Sequence, residues 1–455
     1  MTSQSREKGV IQAMNIDEVV QQIQQNHVEF VSLQFTDIAG MLKNVTIPVS
    51  MITDCLDHGV WFDGSALDGP ARVAETDMYL IPDRSTFAIV PSTGGSDIPT
   101  ARLICDVHAP DGRPYGGDPR RVLRRAVDEA ANMGFVYRLS AEVEFFLFKA
   151  DSDGRPILVP NDSVGYFDTT NDTYTHFRRQ VVRALGSFHI GVDATHHEGA
   201  VGQHEIDLQL ESGMAAADAV MTLRQVLRSL ALQQGMYASF MPKPMVGING
   251  SGMHVHQSLV DSVTGVNLFA DAEDHYGLSP LAKHFMAGLL AHAPGMVAVL
   301  APLVNSYKRF VPGYEAPVSA SWGRTNRGAL VRVPRILGNR PQTTRIELRS
   351  PDPSCNPYLA YAVMLRAGID GIRRELPLPP AAEEDLVTMD ARTRMHPMLP
   401  MTLGEAVAAL QKDDLIADTL GPLIYERFVE SRLHEWESYR QHVSTWELER
   451  YLPIY

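Results

Sequence analysis

The 455-residue sequence has only three cysteines, no long block of lysine and arginine, and no apolar signal segment near its first residue. Cys55, Cys105 and Cys355 lie far apart and form no CxxC pair. Scarce cysteine and a polar N-terminus are typical of proteins of the reducing cytoplasm, where we expect this chain to reside. The formal net charge of -14 and the missing basic block argue against a nucleic-acid partner.

Long apolar runs are also scarce. Residues 285–304 contain no formal charge over twenty positions, which is the length of a membrane-spanning helix. Pro294, Gly295 and Pro302 interrupt this stretch, and proline disfavours a continuous helix. The stretch therefore predicts two buried helices, or a helix and a loop, and no membrane partner.

The sequence is long and apolar enough for more than one core. It is 45% hydrophobic and 21% charged, and its length exceeds the roughly 250–300 residues at which a single core stops growing. Residues 1–115 predict a small β-rich domain, with strands at 30–35 and 43–48 joined by a turn at 37–40. Asp118 and Pro119 then supply an N-cap and a first-turn proline. Residues 116–455 predict a larger domain of alternating helices and strands, so the fold class is α+β.

Four separated segments alternate in the manner of strands, with one apolar face and one face of glutamate, histidine or arginine. These segments are residues 140–148 (SAEVEFFLF), 205–210 (EIDLQL), 253–258 (MHVHQS) and 345–349 (RIELR). Strand side chains alternate with period two, so Glu142 shares a face with Glu144, and His254 with His256. A solvated outer face would explain each strand alone. Solvated faces usually use lysine, threonine, serine and glutamine, so these residues also indicate a ligand site.

If these faces converge, they bring together a cluster that only a cation would neutralise. Its members are Glu142, Glu144, Glu198, Glu205, Glu347 and His254. Carboxylates this close repel one another or take up protons unless a divalent cation is bound. Oxygen ligands with one imidazole favour Mg²⁺ or Mn²⁺ over zinc, and the number of carboxylates favours two or more ions. Convergence is an assumption at this point.

Arginines form the complementary signal. The candidates lie within about forty residues that are also rich in glycine, and they are Arg309, Arg324, Arg327, Arg332, Arg345 and Arg349. Arginine binds carboxylate and phosphate bidentately, which beside metal-binding glutamates indicates phosphoryl transfer to an acidic substrate. A solvated basic face is the alternative. The sequence has no P-loop and no protein-kinase motif set, so a nucleotide would be bound by another scaffold.

The motifs resemble those of type I bacterial glutamine synthetases, from about residue 15 to 455. The matching stretches, in family order, are residues 63–65 (DGS), 142–146 (EVEFF), 196–205 (HHEGAVGQHE), 249–254 (NGSGMH), 305–317 (NSYKRFVPGYEAP) and 345–349 (RIELR). The resemblance implies an N-terminal β-grasp domain and a larger catalytic domain whose curved antiparallel sheet forms a funnel-shaped active site. It also implies a homododecamer of two hexameric rings, with active sites between subunits.

Site residues follow from the resemblance position by position. The implied metal ligands for two or more Mg²⁺ or Mn²⁺ ions are Glu142, Glu144, Glu198, Glu205, His254 and Glu347. The implied binders of glutamate and the amine are Asn249, Gly250, Arg309, Arg349, Tyr166 and Glu198. The implied nucleotide binders are Ser258, His256, Arg327, Arg332 and Arg345. Asp63, Glu315 and Arg327 are the implied catalytic residues, with Asp63 as a base at the ammonium pocket and Glu315 on a closing flap.

The implied reaction is ATP-dependent phosphorylation of the glutamate γ-carboxylate, followed by attack of ammonia to give glutamine. One departure keeps a second acceptor open: Ala66 stands where the family usually has a second serine, and residues 68–71 replace a segment that usually carries an aromatic residue. A γ-glutamyl-amine ligase using methylamine, ethanolamine or a polyamine is therefore the alternative. Retention of Asp63 and Tyr166 favours ammonia, since acid groups suit cationic ammonium. A catalytically silent relative would have lost metal ligands, and all six are present.

Two positions of the sequence bear on regulation by adenylylation and by feedback inhibition. The tyrosine that adenylylated relatives carry would fall within residues 375–380, where this chain has leucine, so we expect no such control. Arg72 matches a position that carries feedback inhibition in one subgroup, and a surface arginine is the alternative interpretation.

Overall fold

The computed structural model describes residues 14–67, 77–91, 98–159, 162, 165–168, 172–311, 313–336, 340–383 and 396–455. Arg72, the segment 68–71 and the side chain of Ala66 lie outside the described residues, so the expectations that depend on them stay predictions. No helix in the described ranges is both long enough and apolar enough to cross a membrane.

The N-terminal part forms a five-stranded sheet with two helices. Its elements are α1 (Ile16–Gln25), β1 (Phe30–Thr36), β2 (Leu42–Pro48), α2 (Ile52–His58), β3 (Val60–Asp63), β4 (Asp77–Ile89) and β5 (Thr100–His108). The order is β2-β1-β5-β4-β3, with β1 and β5 parallel and the other pairs antiparallel. The predicted strands at 30–35 and 43–48 are confirmed as β1 and β2. Gly40 adopts φ +79° in the turn between them, a conformation open to glycine.

The helices and strands of the proposed larger domain begin after the boundary between residues 115 and 116. Helices are α3 (Pro119–Asn132), α4 (Thr175–Ser187), α5 (Gly213–Gln233), α6 (Pro280–Leu300), α7 (Pro357–Arg373), α8 (Leu403–Leu410), α9 (Asp414–Leu420), α10 (Pro422–Gln441) and α11 (Thr445–Tyr451). Strands are β6 (Phe135–Ala150), β7 (Pro156–Ile157), β8 (Val192–His197), β9 (Gln203–Leu208), β10 (Glu211–Ser212), β11 (Met236–Ser239), β12 (Met253–Asp261), β13 (Ser319–Gly323), β14 (Ala329–Arg332) and β15 (Ile346–Leu348). As predicted, α3 begins after Asp118, whose side chain accepts a hydrogen bond from Arg120 N.

Ten strands form one curved, mostly antiparallel sheet shaped as a funnel. The order is β13-β14-β15-β12-β6-β9-β8, and β7, β10 and β11 also pair with β6. The sixteen-residue strand β6 lies at its centre and has Glu142 and Glu144 on one face and Val143 and Phe145 on the other. The apolar face packs on helices α3 to α7 in one large hydrophobic core. The α+β class is confirmed.

Residues 285–300 of the apolar segment lie in α6, which is buried against α7 and α8, and residues 301–303 form the loop that follows it. The helix continues through Pro294 and ends at Leu300, so the segment is a helix and a loop, one of the two predicted arrangements. Proline removes one backbone donor and disfavours a helix interior. Here fourteen of the helix's 21 residues are buried, and packing on apolar neighbours on nearly all sides maintains the helix past the proline.

A buried arginine connects the N-terminal sheet to helices α3 and α5. Arg120 of α3 donates to Asp106 of β5 at 2.6 Å, to Asp83 of β4 at 2.7 Å and to Asp218 of α5 at 3.0 Å. Burial of the guanidinium would lower its pKa, but the charges of Asp218 and Asp106 and the hydrogen bond to Asp218 hold the pKa of Arg120 well above its usual value. We call these four residues the Arg120 junction.

Candidate active site

The register of the funnel sheet brings the predicted carboxylates onto one face. Glu142 lies directly opposite His254 on one side and Asp207 on the other. Glu144 lies opposite Glu205, and Glu347 lies opposite His256. Direct cross-strand partners project to the same side of a sheet. The sequence assumption that four separate segments converge therefore holds for these strands, and we call this surface the acidic face.

On one half of the acidic face, two histidines lie among carboxylates. His256 Nε2 is 2.6 Å from Glu142 Oε1. His254 Nδ1 is 3.5 Å from Glu142 Oε2 and 3.6 Å from Glu347 Oε1, and its Nε2 is 3.7 Å from Glu144 Oε1. Burial would raise the pKa of Glu142, but hydrogen bonds with His254 and His256 lower it below its usual range. Burial and the nearby Arg349 guanidinium lower the pKa of His254 to about 4.

The other half of the acidic face has crowded carboxylates and few cations. Gln203 Nε2 and the backbone N–H of Gly252 donate to Glu144 Oε2 at 2.8 and 3.0 Å. Burial, together with the charge of Glu198, raises the pKa of Glu144 to about 8. Burial, together with the charges of Glu144 and Asp207, raises the pKa of Glu205 to about 12. These shifts mean that the carboxylates would take up protons unless another positive charge neutralises them.

This donor set fits the divalent cations that the sequence predicted. Ligand atoms of Glu142, His256 and Glu347 lie within 4.8 Å of one another, and so do those of His196, Glu205 and Asp207. Carboxylate oxygens with one imidazole per group suit Mg²⁺ or Mn²⁺. His196, Asp207 and His256 were not among the predicted metal ligands, and His256 was predicted to bind the nucleotide. Asp207 could have been found, because the period-two pattern of residues 205–210 already placed it beside Glu205.

Arginines surround the Glu347 end of the acidic face. Arg349 Nη1 donates to Glu347 Oε1 at 2.5 Å, and Arg332 Nε pairs with the other carboxylate oxygen. His256, these two arginines and His254 outweigh burial and lower the pKa of Glu347 to about 2. Arg345 Nε donates to His256 Nδ1 at 3.3 Å. The structure therefore brings Arg332, Arg345 and Arg349 together, as the sequence predicted.

Two other arginines of the sequence cluster differ in their surroundings. Arg309 is buried, and its guanidinium donates to the carbonyl oxygens of Arg349 at 2.9 Å and Ser350 at 3.2 Å. Arg324 instead donates to the carbonyl oxygen of Tyr276 at 2.6 Å, and Glu383 accepts from its backbone N–H. Arg324 thus stabilises the connection after β13 and was not among the predicted site residues.

The predicted glutamate-binding turn lies close to Arg309. A Cβ at position 250 would meet Pro242 O at 2.3 Å and Arg309 Cγ at 3.3 Å, so only glycine allows this close approach. Gln203 Nε2 donates to Gly250 O at 3.1 Å, which joins the turn to β9. Asn249 lies beside Gly250 in the same turn. Ser258 lies further along β12, opposite Arg138.

Asp63 of the predicted amine pocket lies in the N-terminal sheet, whereas Tyr166 and Glu198 lie in turns of the larger domain. Tyr166 precedes Phe167, whose backbone N–H donates to His197 O, and the charges of Glu198 and Glu205 add to burial in raising the pKa of Tyr166. Tyr166 therefore lies near Glu198, as predicted. Asp63 lies at the end of β3, an edge strand of the N-terminal sheet, and accepts a hydrogen bond from Ser65 N at 2.9 Å. Its place in the amine pocket stays a prediction.

The segment 313–315, the predicted flap, contacts two of the predicted arginines. Arg349 Nη2 donates to the Glu315 carbonyl at 3.3 Å, and Arg327 Nη1 lies 3.5 Å from Glu315 Oε2. Glu315 has φ +53°, a left-handed conformation that residues with a Cβ rarely adopt. Backbone strain of this kind is concentrated at functional sites.

Behind the sheet, a buried polar group supports the turn that carries Glu198. Asp162 Oδ1 accepts from Gly202 N at 2.7 Å, and Asp162 Oδ2 is 3.2 Å from His197 Nε2. His197 Nδ1 in turn lies 2.7 Å from Glu198 O. Arg178 Nη1 donates to His204 Nδ1, which leaves a proton on Nε2 and so disfavours His204 as a metal ligand. We therefore interpret this group as structural support for the turn.

Comparison with known proteins agrees with this geometry. Residues 116–451 match the family described as "Glutamine synthetase, catalytic domain", and residues 27–110 match "Glutamine synthetase, beta-Grasp domain". The chain is 46% identical to a glutamine synthetase of Thermus thermophilus over 96% of its own length and 99% of the relative's. It is 44% identical to a glutamine synthetase of Thermotoga maritima over 97% and 100% of the two chains.

Solved structures show the same fold. A structure described as "GmaS/ADP complex-Conformation 1" superposes with a TM-score of 0.84 at 30% identity. The superposition covers 96% of this chain and 99% of the chain in that structure. The structure "Apo GmaS without ligand" gives a TM-score of 0.83 at 31% identity. The predicted β-grasp domain is confirmed by the family match. Both domains, the order of the motifs and the acidic face show that this chain belongs to the glutamine synthetase family, whose members are ligases that use ATP and divalent metal ions.

Proposed function

We propose that this enzyme phosphorylates the γ-carboxylate of L-glutamate with ATP and amidates it with ammonia, giving L-glutamine, ADP and phosphate. The observation that carries this proposal is the acidic face flanked by arginines: carboxylates for metal ions lie beside guanidiniums that can bind phosphate and carboxylate oxygens. A carboxylate reacts poorly with ammonia, and phosphorylation supplies a leaving group. Metal-bound phosphates and arginines together would stabilise the oxygens that gain charge during transfer.

The metal ligands in this proposal are Glu142, Glu144, Glu198, Glu205, His254 and Glu347, holding two or more Mg²⁺ or Mn²⁺ ions. A divalent cation there would neutralise the carboxylates and orient the nucleotide phosphates. Ser258, His256, Arg327, Arg332 and Arg345 would bind ATP. Arg309, Arg349, Asn249 and Gly250 would hold glutamate. The buried Arg309 is suited to this role because its guanidinium is fixed by backbone carbonyls before a ligand arrives.

The amine half of the reaction rests on Tyr166, Glu198 and Asp63. Tyr166 lies near two glutamate side chains, and such an anionic pocket attracts ammonium. Ammonium must lose a proton before it attacks, so a carboxylate such as Asp63 would act as the base. Closure of the segment 313–315, with Glu315, would exclude water that otherwise hydrolyses the acyl phosphate.

A γ-glutamyl-amine ligase is the second candidate, favoured by one observation. The fold superposes on GmaS, a γ-glutamylmethylamide synthetase, over nearly the whole chain. Ala66 at the place of a family serine also removes a polar group from the region around the amine. The retained Asp63 and Tyr166, and the higher identity to curated glutamine synthetases, favour ammonia.

The deciding experiment compares acceptors on one enzyme preparation. Glutamate- and ATP-dependent phosphate release and amide formation are measured with ammonium, methylamine, ethanolamine and a polyamine. We expect ammonium to give the highest kcat/KM. An organic amine that exceeds ammonium tenfold or more would replace the main proposal with the second candidate. No glutamate-dependent phosphate release with any acceptor would exclude both.

Assembly is part of the proposal. Asp63 lies at the edge of the N-terminal sheet, and active sites between subunits of a homododecamer would let one subunit's Asp63 complete the pocket of the next. Apolar side chains are exposed along the C-terminal segment, including Trp446, Leu452, Ile454 and Tyr455. Exposed apolar surface of this kind indicates a protein interface. Light scattering of the purified enzyme would measure the subunit number. We also propose that the enzyme is located in the cytoplasm.

A further inference from the structure

Lys243 lies between the predicted glutamate-binding turn and the predicted flap, and the sequence analysis assigned it no role. It belongs to the loop that leaves β11 and leads to Asn249 and Gly250. Its Nζ donates to the backbone carbonyl of Ile248, immediately before that turn. The same ammonium group lies 4.0 Å from the centroid of the Tyr314 ring. One side chain thus contacts both segments that would enclose glutamate.

The backbone of Lys243 is fixed independently of its side chain. Lys243 N donates to Asn305 Oδ1 at 2.8 Å, and Asn305 Nδ2 donates back to Lys243 O at 3.0 Å. The loop is therefore held to the segment after α6, and the ammonium group extends from a fixed base. Within the described residues, Lys243 forms no salt bridge with a carboxylate. The Lys243 ammonium group instead contacts the Tyr314 ring and the Ile248 carbonyl. Burial partly removes this ammonium group from water and lowers the pKa of Lys243.

Tyr314 in turn belongs to the segment 313–315, where Glu315 has its left-handed backbone conformation. A cation over a tyrosine face is attracted by the ring electrons, and the attraction strengthens as water is removed. Flap closure around bound glutamate would exclude water, so the contact between Lys243 and Tyr314 would be stronger in the closed state. Ile248, on the other side of Lys243, packs against a small buried cluster that includes Phe146 and Phe148.

We propose that Lys243 is a positioning residue that couples the glutamate-binding turn to the flap through Tyr314. This inference rests on the proposed function. Without the contact, the flap would open while the γ-glutamyl phosphate is present. The oxygen of water would then bond to the carbonyl carbon, and the bond from that carbon to the phosphate oxygen would break. Phosphate would leave, the proton would pass to solvent, and glutamate would re-form without amide.

The test is the ratio of phosphate released to amide formed by the full-length enzyme, with Mg²⁺, ATP, glutamate and limiting ammonium. We expect a ratio near one in the wild type and of two or more in Lys243→Met, which keeps the apolar stem. Lys243→Arg should return the ratio toward one. Lys308→Met is the matched control, because Lys308 also lies over a tyrosine ring, that of Tyr439 at 5.4 Å, but outside the flap.

Tyr314→Leu tests the same contact from the other side and does not alter the loop held by Asn305. It should raise the ratio as Lys243→Met does, and Tyr314→Phe, which retains a ring, should reverse most of that rise. If both Lys243→Met and Tyr314→Leu lower phosphate and amide in proportion, with an unchanged ratio, the role of Lys243 is structural and the inference is wrong. A wild type that forms no amide would instead refute the proposed function.

Discussion

Two clusters of acidic side chains, the Arg120 junction and the acidic face, differ in what neutralises them. At the Arg120 junction, three aspartates contact one buried guanidinium, and the pKa of Asp83 is lowered because Arg120 and hydrogen bonds outweigh burial. On the acidic face, the pKa values of Glu144 and Glu205 are raised, and neither carboxylate has an arginine or lysine salt bridge among the described residues.

The difference separates a structural cluster from a ligand site. Burying a carboxylate is costly, and the chain offsets that cost at the junction with its own arginine. At Glu144 and Glu205 the described residues supply no arginine or lysine salt bridge to offset the charge, so the offset has to come from outside, either as protons or as metal ions. A buried acidic cluster without an internal cation is therefore the stronger indication of function.

The largest expected effect is at the acidic face. Glu205→Ala should lower amide formation by more than roughly 100-fold, because a metal ligand is lost and substitution of even supporting groups costs 10–100-fold. Glu211→Ala is the matched control. Burial also raises the pKa of Glu211, but this residue lies on β10 opposite Leu139, outside the acidic face. Steady-state rates and Mn²⁺ binding by calorimetry are the measurements. Near-normal turnover of Glu205→Ala would remove Glu205 from the metal site.

At the junction the expected effect is on stability, with little effect on metal binding. Arg120→Met would leave three aspartates without their shared cation and should lower the free energy of unfolding by about 3–5 kcal/mol. Arg124→Met is the control, because Arg124 pairs with Asp83 and Asp106 at 3.6 and 3.3 Å but is 41% exposed, where such pairs contribute about 1 kcal/mol or less. Urea unfolding monitors both variants. Equal losses of unfolding free energy in the two variants would show that Arg120 stabilises the protein no more than an exposed ion pair does.

The sequence predicted the composition of the acidic face better than its geometry. Alternation with period two was enough to place Glu142 beside Glu144, and Glu205 beside Asp207, because this pattern is local. The pairing of Glu144 with Glu205 joins strands about sixty residues apart, and no local pattern determines that register. Asp162 was missed for the same reason: it contacts His197 and Gly202 only after two distant segments meet.

Helix α6 shows a case in which a local rule left two arrangements open. Proline disfavours a helix interior by removing a donor and crowding the preceding turn, so the sequence predicted either two helices or a helix and a loop. Packing selects the helix and the loop, since α6 is surrounded by the core and loses only one backbone hydrogen bond by including Pro294. The Arg120 junction was not predicted, because its four residues lie on four different elements.

A third charged cluster lies among the helices of the larger domain. Its cation is a histidine, which carries its charge only below its pKa, unlike the permanent charge of Arg120. His292 of α6 is 3.1 Å from Asp370 of α7 and 2.8 Å from Asp413, the N-cap of α9, and Asp370 also pairs with Arg374 at 2.9 Å. Burial would lower the pKa of His292, but hydrogen bonds with both aspartates raise it above its usual 6.5. A raised pKa in the folded state stabilises the protein fully below pH 6.5, and this stabilisation is lost as pH rises through the folded-state pKa.

His292→Gln should therefore destabilise the enzyme more at pH 6 than at pH 9, by about 1 kcal/mol or less, the smallest of the expected effects. The Arg120→Met loss should change little over the same range, because a guanidinium keeps its charge. Urea unfolding of wild type and both variants at the two pH values measures the difference. A His292→Gln loss that is equal at pH 6 and pH 9 would mean that His292 is neutral in the folded protein, and that its two aspartates are held by hydrogen bonding without a charge.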